Sequence, residues 1–150
     1  MFNDDLARGK RGEMLAMKAL EKEGFTVEDV SYNKEYQRID IDFIITRKQR
    51  ATIEVKNDAR SEETGNMFIE TYNNNNSSHA YLGWYFYTEA DLILFLQERS
   101  GKAHIIHYDD LRELIEKNNY RIASCANAGG YLVPLTDIKR QKSYLCLEVG

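Results

Sequence analysis

Apolar positions in the first 24 residues recur at helical spacing and predict an amphipathic helix between Asn3 and Gly24. Asn3 suits the N-cap, and Gly24 suits a helix stop. The stripe consists of Leu6, Met17 and Leu20. Glu13 falls on the same stripe, where a carboxylate is costly unless a metal or a cationic partner compensates for its burial.

Shorter apolar runs bounded by turn residues predict strands along the rest of the chain. They cover residues 25–30, 39–45, 51–56, 67–72, 84–87, 91–96, 103–108, 131–135 and 144–149. Arg47 to Arg50 form a basic hairpin turn, and a further helix is expected over 111–115, ending near Asn118. This order predicts one α/β or α+β domain spanning residues 1–150, with a single mixed sheet and helices packed on it.

Composition is that of a globular protein, with 43% hydrophobic and 29% charged residues. The chain starts without a basic and apolar leader pattern, and its apolar runs are too short to cross a bilayer, so we expect a cytoplasmic protein and no membrane partner. The net charge of −4 argues against coating nucleic acid through bulk charge. It is compatible with an enzyme that contacts a few phosphates through a local basic patch.

Acidic and basic residues alternate with apolar ones in two neighbouring predicted strands. In a strand, Asp40 and Asp42 would share one face, and Glu54 and Lys56 would share one face of the next strand. If the two strands pair through the basic turn, Asp42 and Glu54 lie near each other. Two adjacent carboxylates repel, and a divalent cation relieves that repulsion. Magnesium, with its preference for oxygen ligands, would there support phosphodiester hydrolysis, and Lys56 would orient the attacking water.

The arrangement Asp42…Glu54-Val55-Lys56 resembles the motif of PD-(D/E)XK nucleases. The segment 8–13, followed by an apolar helix, is similar to the opening helix of their Holliday-junction-resolvase-like branch. The similarity covers roughly residues 7 to 58, although no proline precedes the aspartate. It implies a restriction-endonuclease-like fold, a mixed β-sheet flanked by helices. It also favours Asp42 over Asp40 as the metal ligand, because that branch places the metal-binding aspartate directly before an apolar pair.

The resemblance implies that Glu13, Asp42 and Glu54 hold Mg²⁺, with Mn²⁺ as a possible substitute, and that Lys56 assists the attacking water. Asp40 is then a neighbour of the site, and Glu70 is a possible further ligand or substrate contact. No organic cofactor is expected. Basic side chains that can contact a phosphate backbone are Arg8, Lys10, Arg11, Arg47 and Lys48.

Two segments and the histidines carry weaker signals. The Asn/Ser run 73–78 is a loop that can cover the site, and the aromatic run 81–87 favours core or dimer packing over base stacking. The histidines lack ligand spacing and are expected to be structural; they are His79, His104 and His107.

The predicted function is therefore that of a Mg²⁺-dependent DNA endonuclease, acting as a homodimer. One alternative with the same chemistry is a structure-specific Holliday-junction resolvase. An alternative of another class is a catalytically silent member of the fold that serves as a nucleic-acid or protein interaction module, which the acidic net charge and the missing proline favour.

Overall fold

The computed structural model describes residues 2–73, 81–125 and 127–150. Most of the 73–78 run and His79 lie outside these residues. Elements follow in the order α1 (Phe2–Lys22), β1 (Thr26–Asp29), α2 (Lys34–Arg38), β2 (Phe43–Thr46), β3 (Arg50–Asn57), α3 (Ser61–Thr64), β4 (Asn66–Asn73), α4 (Trp84–Tyr87), β5 (Leu92–Gln97), β6 (Lys102–His107), α5 (Tyr108–Lys117), β7 (Ile122–Cys125), β8 (Ala128–Pro134), α6 (Leu135–Ile138) and β9 (Leu145–Glu148). The chain is thus a mixed α/β protein.

The strands form two sheets in the described part of the chain, where the sequence predicted one. A six-stranded mixed sheet has the order β1-β2-β3-β5-β6-β9, and β3 pairs with β5 in parallel. A three-stranded antiparallel sheet has the order β4-β8-β7. After β3 the chain turns through α3 and Gly65, which adopts φ 74°, and β4 then pairs with β8 instead of the first sheet. Alternation of apolar residues predicts a strand but does not identify its partner.

Two hydrophobic clusters lie on opposite faces of the six-stranded sheet. Ala16, Ala19 and Leu20 of α1 pack on one face. The other face is covered by the second sheet, α4 and α5 through residues such as Ile69 and Trp84. Alternate residues of β3 therefore belong to different clusters: Ile53 and Val55 face α1, while Glu54 and Lys56 share the opposite face with Ile93 and Phe95, their neighbours on β5.

The opening helix begins earlier than predicted, at Phe2, so Asn3 lies inside its first turn rather than at the N-cap. The predicted apolar stripe is wrong at its start, because Leu6 is 54% exposed. The buried apolar residues of α1 lie in its second half, at Ala16, Ala19 and Leu20. Gly12, one turn before Ala16, marks where the close contact begins.

Two predicted strands have a different structure. Residues 84–87 form helix α4, because Trp84 and Tyr85 are buried among aromatic rings and the helical turn places both in the core. Residues 39–42 precede strand β2, which starts only at Phe43. Asp40 has a left-handed conformation with φ 57°, which ends the turn after α2. No helix within the described residues combines the length and the apolar character that a membrane crossing requires.

Candidate functional site

Asp42 lies directly before β2 and forms hydrogen bonds with the two residues on either side of Glu54 in β3. Its backbone N–H donates to the carbonyl oxygen of Ile53 at 2.9 Å, and its Oδ2 accepts from the backbone N–H of Val55 at 2.8 Å. The backbone between these two contacts belongs to Glu54. The sequence prediction that the hairpin brings Asp42 beside Glu54 is therefore confirmed in geometry, and the carboxylate is fixed by a main-chain donor.

Burial and neighbouring charge raise the pKa of Asp42 to about 6. Desolvation is the largest cause, the hydrogen bond from Val55 opposes it, and the carboxylate of Glu13 adds to it. The Glu13 carboxylate is therefore near enough to Asp42 to disfavour its ionised form.

Glu54 is buried, with its side chain 4% exposed. Its Oε1 contacts the ammonium of Lys56, and its Oε2 is buried without a hydrogen-bond partner among the described residues. Desolvation raises the pKa of Glu54 well above its usual value, Lys56 opposes the shift, and Asp40 and Asp42 reinforce it. An unpaired buried carboxylate oxygen is costly, so this atom has unused capacity to bind a cation or a donor.

Lys56 lies among acidic and aromatic groups. Besides contacting Glu54, its Nζ is 3.3 Å from Oδ2 of Asp40 and 5.2 Å from the centre of the Trp84 ring. The neighbouring carboxylates outweigh desolvation and raise the pKa of Lys56, so the ammonium stays protonated across the physiological range. The group therefore acts as a hydrogen-bond donor and a positive charge, not as a proton acceptor.

Asp40 reaches Lys56 by a different route from the one predicted. Strand alternation with Asp42 does not apply, because Asp40 lies in the turn between α2 and β2. Its carbonyl oxygen accepts from Oγ1 of Thr88 at 3.1 Å, which anchors the turn beside α4. The left-handed conformation directs the carboxylate toward Lys56, so Asp40 is a counterion of the lysine.

Glu13 is half-buried on α1, as its position in the helical pattern predicted. Its Oε2 lies 3.2 Å from Nζ of Lys10, and that ammonium also lies 4.2 Å from the centre of the Tyr32 ring. Lys10 thus pairs with Glu13, and its phosphate contact remains a prediction.

Glu70 on β4 is half-buried, and its Oε2 accepts from Nδ2 of Asn73 at 3.4 Å. Burial raises the pKa of Glu70, and the positive charge of Lys56 is the largest opposing effect.

Tyr87 on α4 is a further neighbour that the sequence did not identify. Burial and the charge of Asp40 raise its pKa to about 12. The sequence predicts that the aromatic run 81–87 serves packing, and no pattern in the sequence connects Tyr87 with the acidic residues between 40 and 56.

The remaining basic residues are not gathered at the carboxylates. Arg11 donates through Nε to both oxygens of Glu98, at 2.9 and 3.2 Å. Arg8 pairs with Asp5 at 3.6 Å and lines a cavity near Asn57. Arg47 lies over the Phe25 ring, and Lys48 is exposed on the β2–β3 turn, at the far end of β2 from Asp42.

No group of three or more histidine, cysteine, aspartate or glutamate side chains is arranged to hold a metal ion within residues 2–73, 81–125 and 127–150. The ammonium of Lys56 instead contacts Glu54 and Asp40 and offsets one of their two negative charges. Magnesium, however, is commonly bound by one or two carboxylates together with waters and substrate phosphates. Asp42 and the unpaired oxygen of Glu54 match that smaller ligand requirement.

Comparisons with known proteins give no relative. No family model matches the chain, no curated protein matches it, and no solved structure matches its fold. The arrangement of Asp42, Glu54 and Lys56 is therefore interpreted from its own chemistry.

Proposed function

We propose that this protein is a metal-dependent nuclease that hydrolyses phosphodiester bonds of DNA, with a restriction-endonuclease-like fold. The observation that carries the proposal is the Glu54 carboxylate, which is buried beside Asp42 with Oε2 unpaired among the described residues and with Lys56 at the other oxygen. Two buried carboxylates and a permanently protonated lysine are a costly combination for stability alone. Hydrolysis of a phosphodiester uses each of these groups.

Asp42 and Glu54 would hold Mg²⁺, or Mn²⁺ in its place, and Glu13 would contribute from α1. When bound, the ion supplies polarisation of a phosphoryl oxygen and activation of a water molecule. Lys56 donates hydrogen bonds to the phosphate, where negative charge accumulates as the water oxygen bonds to phosphorus and the ester oxygen leaves. Val55 fixes the Asp42 carboxylate through its N–H, and Asp40 holds Lys56 in place.

A second candidate is a silent interaction module. The ion pairs of Lys56 with Glu54 and Asp40 favour it, because they satisfy much of the negative charge without any metal. This candidate leaves Oε2 of Glu54 unexplained, whereas a cation accounts for it. The nuclease is therefore the better supported function.

A panel of labelled substrates tests the proposal and defines the reaction. Supercoiled plasmid, linear duplex, single strand and a four-way junction are incubated with Mg²⁺ or Mn²⁺, and cleavage is followed on denaturing gels. Glu54→Gln retains the shape of the side chain and removes its charge; Glu116→Gln, on the exposed surface of α5, is the matched control. We expect cleavage by wild type and the control but not by Glu54→Gln. Preference for the four-way junction would identify a resolvase, and preference for duplex an endonuclease.

Metal binding is measured separately by isothermal titration with Mn²⁺. The nuclease requires binding by wild type and Glu116→Gln, and at least tenfold weaker binding by Glu54→Gln and Asp42→Asn. Equal heats for all four proteins, together with an uncut panel, would favour the interaction module.

A further inference from the structure

A cavity of about 390 Å³ lies beside the open face of the β4-β8-β7 sheet, away from the Glu54 carboxylate. None of the predicted site residues lines it. Its lining includes Asp58, Arg60, Asn66, Phe68, Arg121 and Leu132. Its volume falls within the ordinary range of small-ligand sites.

The floor of the cavity is apolar because of strand alternation in β4. Met67 and Ile69 are buried in the core, so Phe68 between them points to the opposite face. Leu132 pairs with Phe68 across the sheet, and its N–H donates to the carbonyl oxygen of Arg121 at 2.9 Å. A half-buried aromatic ring and a leucine thus lie side by side, with Arg121 next to them.

The rim of the cavity is basic. Arg60 and Arg121 are exposed, and neither forms an ion pair with any residue that the structure describes. Among the described residues that line the cavity, Asp58 is the only acidic one, and its two oxygens accept from the N–H groups of Ser61 at 3.1 Å and Phe68 at 3.0 Å. Its charge is therefore directed at the backbone, whereas both guanidinium groups remain available to an anion.

The cavity is connected to the candidate active site through the strands. Phe68 and Glu70 share one face of β4, about 7 Å apart, and Lys56 is near enough to Glu70 to oppose the rise in the pKa of that carboxyl. A neighbouring cavity of about 280 Å³ shares Asp58 and Arg60 with it, but the further arginines there, Arg8 and Arg99, are paired with Asp5 and Glu63.

We infer that this cavity binds one nucleotide of a single-stranded nucleic acid, with the base against Phe68 and Leu132 and the phosphate between Arg60 and Arg121. An aromatic floor accepts any base, because every base has a flat apolar face. The inference deepens the proposed function and rests on it for its role, which is to hold the strand on one side of the cleaved bond. Binding itself does not require cleavage, so the two proposals are tested independently.

The test uses the full chain in metal-free buffer, where no hydrolysis occurs. Fluorescence anisotropy measures binding of a labelled oligothymidylate, the matching oligouridylate and a duplex of the same length. Phe68→Leu removes the ring and keeps an apolar floor, and Arg121→Gln removes one charge. Arg112→Gln, an exposed arginine on α5, is the matched charge control. Thermal unfolding confirms that each variant remains folded.

Both cavity variants are expected to weaken single-strand binding roughly fivefold or more. Arg121→Gln should also reduce the slope of log affinity against log salt concentration by about one. Arg112→Gln should bind as wild type does. DNA and RNA arms establish which sugar is preferred. Unchanged binding by Phe68→Leu, or equal losses for duplex and single strand, would overturn the nucleotide pocket. The cleavage experiment with the substrate panel remains a valid test of the nuclease whatever the binding result. Either proposal can therefore fail without the other.

Discussion

The ammonium of Lys56 lies 3.3 Å from a carboxylate oxygen of Asp40, sixteen residues earlier in the chain. The same ammonium contacts Glu54, so one cation serves two acidic side chains from different elements. This relationship holds the turn after α2 against β3 and keeps a lysine charged in a largely enclosed place. It also sets the stability cost of changing any of the three residues.

Replacing Lys56 should lower the free energy of unfolding. Lys56→Met leaves Glu54 buried without its counterion, and we expect the free energy of unfolding to fall by about 2–4 kcal/mol. Glu54→Gln/Lys56→Met should recover most of the loss, since the more deeply buried carboxylate is then uncharged, and Asp40, which also loses the lysine, is 20% exposed. Urea unfolding of both single variants and the double variant measures the coupling. Equal losses for Lys56→Met and the double variant would show that the ion pair has no such role.

Two substitutions of Asp42 distinguish its contribution to stability from its contribution to metal binding. Asp42→Ala leaves the buried N–H of Val55 without its acceptor, and we expect a loss of about 1–3 kcal/mol in unfolding free energy. Asp42→Asn retains an acceptor oxygen and should unfold near the wild-type midpoint, yet bind Mn²⁺ at least tenfold more weakly. Chemical denaturation and isothermal titration on the same preparations check both results. Full Mn²⁺ affinity in Asp42→Asn would remove Asp42 from the metal site.

Two glycines of α1 are expected to respond in opposite directions to alanine. A Cβ at Gly12 would lie 2.9 Å from Nδ2 of Asn57, whose amide is already held by the Arg8 carbonyl and Glu98. Gly12→Ala should therefore destabilise the protein by about 1–3 kcal/mol. Gly9 has nothing within 4 Å of such a Cβ, so Gly9→Ala should stabilise α1 by about 0.5–1 kcal/mol. Thermal unfolding of both variants gives the comparison, and a shift of the same sign in each would contradict it.

His104 should make stability depend on pH. Its Nε2 lies 2.9 Å from Oε1 of Gln97 and its Nδ1 lies 2.8 Å from the Tyr144 hydroxyl, so the neutral ring donates to the amide and accepts from the phenol. Burial, followed by the charges of Lys139 and Lys102, lowers the pKa of His104 from 6.5 to about 4.

A pKa lowered by folding gives stability that is complete above the unfolded value and is lost as pH falls. The loss begins near pH 6.5, is complete below about pH 4, and amounts to at most about 3 kcal/mol. His104→Gln should flatten this part of the pH profile measured by urea unfolding. An identical slope in wild type and variant between pH 6.5 and 4 would assign the pH dependence to other groups.

The sequence identified the local chemistry better than the long-range pairing. Alternation placed Glu54 and Lys56 on one face of β3, and the basic turn predicted the β2–β3 hairpin, both of which the structure confirms. The strand partners of β4 and the helical state of residues 84–87 depend on tertiary packing, which overrides local β-propensity. Asp40 meets Lys56 through a left-handed turn that apolar periodicity does not encode. Tyr87 and Trp84 lie near the site because residues 84–87 form a helix, which apolar periodicity did not predict either.

The central claim is tested most directly by the rate at which supercoiled plasmid is nicked in Mg²⁺ by wild type and by Glu54→Gln purified in parallel. The account predicts metal-dependent nicking by wild type, abolished by chelation, and at least a hundredfold slower nicking by Glu54→Gln, while Glu116→Gln keeps the wild-type rate. Nicking at equal rates by wild type and Glu54→Gln, or none by folded wild type in Mg²⁺ or Mn²⁺, would contradict it.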